Sequence, residues 1–304
     1  MFFKANQAII LLTSASIIWG ATAPIMKLTL EQIPVFSLAF IRMAVASAIL
    51  GIFVIGQLKI RKSDQLTFIA AAITGVTLNL TFFFIGLKLT SAILASFLVA
   101  SVPIFTMLAA HIYLKEKFTT RLIFASAVAL LGVTIIIGKP DGAFNLIQTI
   151  GNVLLLLSTF AWVAHEIIAK KLLKVYDAAT VTFFTTAIGA LTFLPLFIWE
   201  YLKNPLWINH VNSTGLLGLL YGIIFASLIA YWAWQKGLSL LPAGEASFFF
   251  YLDPISGGIL SIILLKERLT PTLIIGAILI AAGVFLAEHN RKSHPLHKSV
   301  IAQN

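Results

Sequence analysis

The residues that could do chemistry are few, and most of them stand inside apolar sequence. Asp253 lies about eight residues into the apolar run that begins at Ala243, directly before Pro254. At 1.5 Å per helical residue it is roughly 12 Å from the start of that run. A charge at the centre of a membrane helix costs roughly 2.5–3.5 kcal/mol on insertion scales, so such a residue is either functional or structurally partnered. Pro254 removes a backbone donor and can open the helix locally. Asp253 therefore reads as a proton carrier in a polar cavity, or as a hydrogen-bonded acid that stabilises a kink. Glu245, two turns earlier, is a second proton-coupling candidate, or an acid at a helix start where the helix dipole favours it. His165-Glu166 reads as a proton-sensitive pair at a cavity mouth, or as an interfacial polar pair. Arg42, also within a run, reads as half of a structural salt bridge or as a side chain reaching back to the interface.

Two tempting motifs fail. His165-Glu166 would start a zinc-protease His-Glu-x-x-His signature, but the fifth position is Ala169. Gly132 to Lys139 resembles a phosphate-binding loop, yet five residues separate Gly132 from Gly138 and Pro140 follows Lys139. There are no cysteines, which excludes thiol catalysis and Cys-ligated zinc. No Ser-His pair is recognisable either. The sequence thus predicts no enzyme, no catalytic residue, no metal and no cofactor. Glu116 and Glu267, which close their runs among basic neighbours, read as anchors.

Aromatic residues supply the other chemistry. Along the run 214–236, Tyr221, Phe225, Trp232 and Gln235 fall within roughly 80° of one another at 100° per residue. Such a face offers apolar bulk with hydrogen-bonding tips, as metabolite pockets do. Trp19, Asn79, Phe83, Trp162 and Tyr251 join it as candidate substrate-binding residues. The competing reading is ordinary packing, or an interfacial belt for those near helix ends.

The elements that position these residues follow from composition. The chain has 304 residues, 60% of them hydrophobic and 11% charged, with a mean hydropathy of +1.00. Soluble domains carry about 25% charged residues, so the solvent here is lipid. Ten runs approach or exceed the roughly 20 residues that span the hydrocarbon core. They are 7–28, 35–57, 66–87, 91–113, 120–138, 147–169, 180–199, 214–236, 243–265 and 272–287. Barrel strands would alternate over about ten positions, whereas these runs are apolar on all sides. The expectation is an all-α membrane protein with ten transmembrane helices and a retained first helix in place of a cleaved signal. The net charge of +10 lies between the runs rather than on one soluble face, which argues for membrane orientation and against nucleic-acid binding. Placing the N-terminus inside puts 14 Lys and Arg on the cytoplasmic side and 6 outside, so both termini are expected in the cytoplasm. The basic tail 288–304 would lie beside anionic lipid.

A repeat organises the ten runs. Gly86 to Val133 is echoed by Gly237 to Val284; Glu267 follows Glu116, and Pro254 follows Pro103, each by 151 positions. The first two helices repeat at an offset of 143, which pairs Trp19 with Trp162 and Lys27 with Lys170. Five helices per copy is an odd number, so the second copy is expected upside down in the bilayer. The units are 8–138 and 147–287. Inverted repeats place substrate near the midplane, between the halves. Gly218-Leu219-Leu220-Tyr221-Gly222 is a small-xxx-small motif for close helix packing.

These features resemble the EamA-type family of the drug/metabolite transporter superfamily. The resemblance rests on Trp19-Gly20 with Pro24 and Lys27, Pro34 with Arg42, and Asn79 with Phe82-Phe83. Gly86-Leu87, Thr90-Ser91-Ala92 and Pro103 continue it, as does the Leu-Lys-Glu that precedes Gly132 and returns before Gly283. It implies a ten-helix exporter or facilitator of small metabolites, such as amino acids or amphipathic drugs, with a cavity between the halves. The partners expected are a small-molecule substrate and the lipid bilayer. A non-transporting receptor or assembly subunit is the alternative, and it would show a packed midline instead of a cavity.

Overall fold

Segments as apolar as these cannot leave backbone N–H and C=O groups facing lipid, so each closes its hydrogen bonds internally as a helix. The computed structural model describes residues 2–57, 59–115, 120–138 and 145–288. They form α1 (Phe2–Thr29), α2 (Val35–Val54), α3 (Lys62–Leu89), α4 (Ala92–Leu114) and α5 (Thr120–Gly138). A second set follows: α6 (Leu146–Leu172), α7 (Ala178–Lys203), α8 (Ser213–Leu240), α9 (Ala243–Leu265) and α10 (Pro271–Glu288). Among the described residues eight helices are long and apolar enough to cross a membrane, and Pro271–Gly283 is a shorter apolar helix. The protein is an all-helical, multi-pass membrane protein of eight to ten spans.

The repeat is visible in backbone irregularities. Two non-glycine residues among those described adopt positive φ, Lys115 (58°) and Lys266 (55°), and they are 151 apart. Each ends its helix in the left-handed conformation, which lets the chain turn sharply after α4 and α9. Helices α3 and α8 both widen to π geometry, over Ile73–Leu78 and Gly222–Ile229, and these stretches also end 151 residues apart. Helix α4 is interrupted between Val99 and Val102. Helix α9 tightens to 3₁₀ over Ser247–Leu252 before resuming as an α-helix at Asp253.

Packing repeats as well. Helix α1 lies against α8 and α9, and its counterpart α6 lies against α3 and α4. The remaining counterparts pack on each other: α2 on α7, α4 on α9, α5 on α10. Exchanging the two halves therefore maps the contacts onto themselves. One hydrophobic core runs through both halves, from Leu12 and Met26 to Trp234 and Phe250.

Candidate functional site

At the centre of the helices lies a cavity of about 100 Å³. Its wall draws on both halves: Trp19 and Thr22 of α1, Arg42 of α2, Asn79 to Phe84 of α3, Ala95 to Val102 of α4, Leu155 to Trp162 of α6, Tyr231 of α8, and Phe250 and Asp253 of α9. Trp19 is its hub. The ring meets Trp162 edge to face at 4.9 Å, Tyr231 at 5.3 Å and Trp234 at 5.4 Å, and stacks on Phe250 at 6.0 Å. Its indole Nε1 donates to the Ala226 carbonyl at 3.0 Å, an acceptor in the widened part of α8.

Two side chains that can carry charge at neutral pH reach this cavity, Arg42 and Asp253, and neither has a charged partner among the described residues. Arg42 is 2% exposed. Its Nε donates to the Gly222 carbonyl and to Ser227 Oγ, both at 3.2 Å, Nη1 contacts Met26 Sδ, and Cζ sits 5.3 Å from the centre of the Phe84 ring. The salt bridge expected for Arg42 does not form among the described residues, and burial excludes the snorkelling alternative. Elsewhere Lys27 and Glu267 form an ion pair. Asp253 is 3% exposed, and its Oδ1 has no hydrogen-bond partner among the described residues. A buried polar atom left unpaired costs about 1–3 kcal/mol, and more when charged.

Glycines make room for these groups. A methyl at Gly20 would lie 2.0 Å from Ser256 Oγ and 2.7 Å from the Asp253 carbonyl oxygen. A methyl at Gly222 would lie 2.7 Å from Arg42 Cδ. Close approach thus seats the Asp253 backbone against α1 and the Arg42 side chain against α8.

The other candidates separate into two groups. Asn79, like Trp19, Phe83 and Trp162, lines the cavity. Its Nδ2 donates to the Ser158 carbonyl and Ser158 Oγ at 3.0 and 2.9 Å, tying α3 to α6. Tyr221, Trp232, Gln235 and Tyr251 are not part of the wall. Tyr221 donates to the Ile18 carbonyl and stacks on Phe225. Trp232 is 37% exposed and borders an outer groove with Leu50 and Phe53. Tyr251 is half-buried beside Phe248.

The displacement of Trp232 has a definite cause. The expected face assumed 100° per residue throughout, but the i→i+5 hydrogen bonding of residues 222–229 advances the chain by less per residue. By the end of that stretch Trp232 has turned out of the wall, while Gln235 stays fully buried. Tyr231 and Trp234 point inward, 3% and 0% exposed, and Trp232 points out.

The remaining acids and His165 fall outside the wall too. His165 and Glu166 are fully buried rather than interfacial. Gln235 Nε2 donates to His165 Nε2, so the ring carries its proton on Nδ1 and directs it at the Ala71 carbonyl, 2.8 Å away. Glu166 accepts from Thr106 Oγ1 at 2.7 Å and Trp234 Nε1 at 3.1 Å. These contacts form a buried layer next to the cavity, with the His165 ring 5.0 Å from that of Trp162. Glu245 sits in the first turn of α9. Glu267 accepts from the Ala92 and Ile93 amides at 2.9 and 2.7 Å, and so caps the start of α4. Its counterpart Glu116 and the basic tail lie outside the described residues. No group of three or more potential metal ligands occurs among the described residues.

Sequence reasoning missed Arg42, Tyr231 and Phe250 as wall residues. Arg42 carried the clearest signal, a basic residue inside an apolar run, but nothing in the sequence said that no acid would meet it.

The fold and the cavity define a polytopic helical membrane protein built from a duplicated unit around an internal site. The chain belongs to the EamA-like transporter family, which it matches twice, over residues 6–138 and 149–288. It is 30% identical, over 91% of its length and 96% of the relative's, to an uncharacterized transporter of Archaeoglobus fulgidus. It is 26% identical to the uncharacterized transporter YetK of Bacillus subtilis, covering 95% and 89% of the two chains. A solved crystal structure superposes with a TM-score of 0.68 over 93% of this chain and 97% of the other, at 18% identity, and so shares the fold. The protein is a transporter, which implies a small-molecule substrate and a membrane, and it is not an enzyme.

Proposed function

We propose that this transporter carries small metabolites, such as amino acids or amphipathic drugs, by alternating access between two inverted five-helix repeats. The central cavity is the substrate site, with Trp19, Asn79, Phe83 and Trp162 in its wall. The chain sits in the cytoplasmic membrane with both termini inside, and it works as an exporter or facilitator. The observation that carries this reading is the cavity itself: it draws on both halves, and the equivalent residues Trp19 and Trp162 meet in its wall. A substrate site on the line relating two halves stays put while the halves rock around it. The same cavity argues against a non-transporting receptor, for which a packed midline is expected.

Asp253 is the leading candidate for proton coupling, because it is the carboxyl group in the cavity wall. His165 and Glu166 form a second tier, one layer away, and Glu245 a third, near the start of α9.

The experiment is flux of labelled amino acids, purines and cationic drugs in proteoliposomes, with and without a pH gradient. A transported compound whose flux responds to the gradient, and loses that response in Asp253→Asn, supports coupling at Asp253. An unchanged response in Asp253→Asn makes that residue structural. Absence of flux across the whole panel, with folded protein, contradicts the transport route.

A further inference from the structure

We propose that the outer groove between α2, α7 and α8 holds one anionic phospholipid, with an acyl chain in the groove and the phosphate at Lys236. The groove has a volume of about 320 Å³ and is lined by Leu50 and Phe53 of α2, Ala179 of α7, and Leu228, Ile229 and Trp232 of α8. It shares no residue with the wall of the central cavity, so a lipid there holds three helices together from outside without entering the route. The lining is apolar apart from the indole N–H of Trp232, which suits a chain with no hydrogen bonds to make. The duplication shows that this space belongs to one half. Phe193 follows Leu50, and Ala179 follows Phe36, by the same 143 positions that relate Trp19 to Trp162. Phe36 and Phe193 meet with ring centroids 6.4 Å apart, and Phe193 is fully buried. One half thus fills with its own aromatic rings the position that the other leaves open.

Charge gathers at one end of the groove. Phe53 and Ala179 stand in the last turn of α2 and the first turn of α7. Lys236 follows Trp232 by four residues, so it lies on the same face of α8 and about 6 Å closer to the C-terminal end of that helix. The segments 59–64 and 171–177 meet at this end. The Arg61 amide donates to the Tyr176 hydroxyl at 3.0 Å, and that hydroxyl donates to Asp64 Oδ2 at 2.7 Å. This tie brings Lys59, Arg61 and Lys62 beside Lys171 and Lys174, all of them exposed. The acids nearby are engaged, Asp64 with Tyr176 and Asp177 in capping Thr180 at the start of α7. None of these basic side chains, Lys236 included, forms an ion pair among the described residues. An apolar slot beneath a basic rim matches an anionic lipid, whose chain and phosphate are joined in the same order. A second copy of the chain in the same orientation would instead bring two basic rims together.

The test is lipid retention by the purified full-length chain, read by native mass spectrometry with phosphatidylglycerol and phosphatidylcholine of identical acyl chains. One phosphatidylglycerol per chain is expected to be retained, at least about tenfold in preference to phosphatidylcholine. Ala179→Phe copies the other half into the groove while keeping every charge, and is expected to lower that retention by about tenfold or more. Lys236→Gln is expected to reduce the preference between headgroups by about threefold or more. Should Ala179→Phe fail to fold, Leu50→Phe makes the same test. Equal retention of the two lipids by the wild-type chain overturns the inference, and so does a preference unchanged in Lys236→Gln. Undiminished retention in a folded, groove-filled variant also overturns it, because the lipid is then held by the basic segments or the tail alone. A dimer that carries no lipid assigns the groove to a second copy, and a monomer that carries none leaves it without this occupant; either result overturns the proposal.

Discussion

Trp19 and Trp162 stand at equivalent positions of the two repeats, 143 residues apart, and touch edge to face with ring centroids 4.9 Å apart. A residue that touches its own counterpart lies on the line relating the halves, so this contact marks where the two repeats meet. Both rings also wall the cavity. Truncating either one should therefore impair transport more than it impairs folding. Trp19→Phe and Trp162→Phe keep most of the buried volume and are expected to reduce flux by about tenfold or more, equivalent to roughly 1.4 kcal/mol. Trp232→Ala, on the outer surface, is expected to leave flux within about twofold, since exposed positions away from special contacts rarely matter. Flux assays on the three variants, normalised to folded protein, check this.

Gly20 should be as sensitive as any side chain in the site. A methyl there would overlap Ser256 Oγ and press on the Asp253 backbone. Gly20→Ala is expected to destabilise the protein by about 1–3 kcal/mol through overpacking and to lower flux by displacing Asp253. Ser256→Ala in the same chain removes the nearest clash and should recover part of the stability. Thermal unfolding of the single and double variants measures the recovery.

Lys27 and Lys170, another equivalent pair, do the same work at two helix ends. Lys27 donates to the Thr90 carbonyl after α3. Lys170 donates to the Leu238 and Leu241 carbonyls at the end of α8. Thr90 and Leu241 are themselves 151 apart. An ammonium group there satisfies carbonyls that the helix leaves open and complements its dipole. At the first of these ends Glu267 adds an ion pair to Lys27 and caps two amides of α4. Glu267→Ala is expected to cost about 1–2 kcal/mol, as for the loss of a good cap. Glu267→Gln should cost less, because one amide acceptor remains. Melting temperatures of the two variants give the order.

Asn79 tests the polar part of the wall. Its amide holds Ser158 of α6 through two hydrogen bonds. Asn79→Ala is expected to lose about 1 kcal/mol of stability and to raise the KM for transport while changing the maximal rate less. Concentration-dependent flux separates the two parameters.

Much of this architecture was legible in the sequence because a duplicated apolar pattern leaves little freedom. The offset of 151 that joins Pro103 to Pro254 reappears in the left-handed Lys115 and Lys266 and in the ends of the two π stretches. Trp19, Asn79, Phe83, Trp162 and Asp253, singled out from the sequence, all line the cavity. What stayed hidden depends on local helix geometry and on absent partners. A uniform 100° step put Trp232 where Tyr231 belongs, because widened hydrogen bonding has no simple signature in side-chain type. Arg42 looked like half of a salt bridge, since a buried arginine without an acid is the costlier arrangement. Gly222 reads as a general packing position and Gly20 only as part of the family resemblance, whereas in the fold Gly222 makes room for Arg42 and Gly20 for Ser256 and the Asp253 backbone.

If the cavity is the substrate's route, filling it must block transport. The chain has no cysteine, so a single introduced thiol reports one position cleanly. Ser158→Cys, in the cavity wall, should be labelled with a bulky methanethiosulfonate to full occupancy by mass, and flux then measured in proteoliposomes beside Phe53→Cys, which faces outward. Labelling at 158 is expected to lower flux by about tenfold or more, and labelling at 53 to leave it within about twofold. Undiminished flux through protein fully labelled at 158 would contradict it.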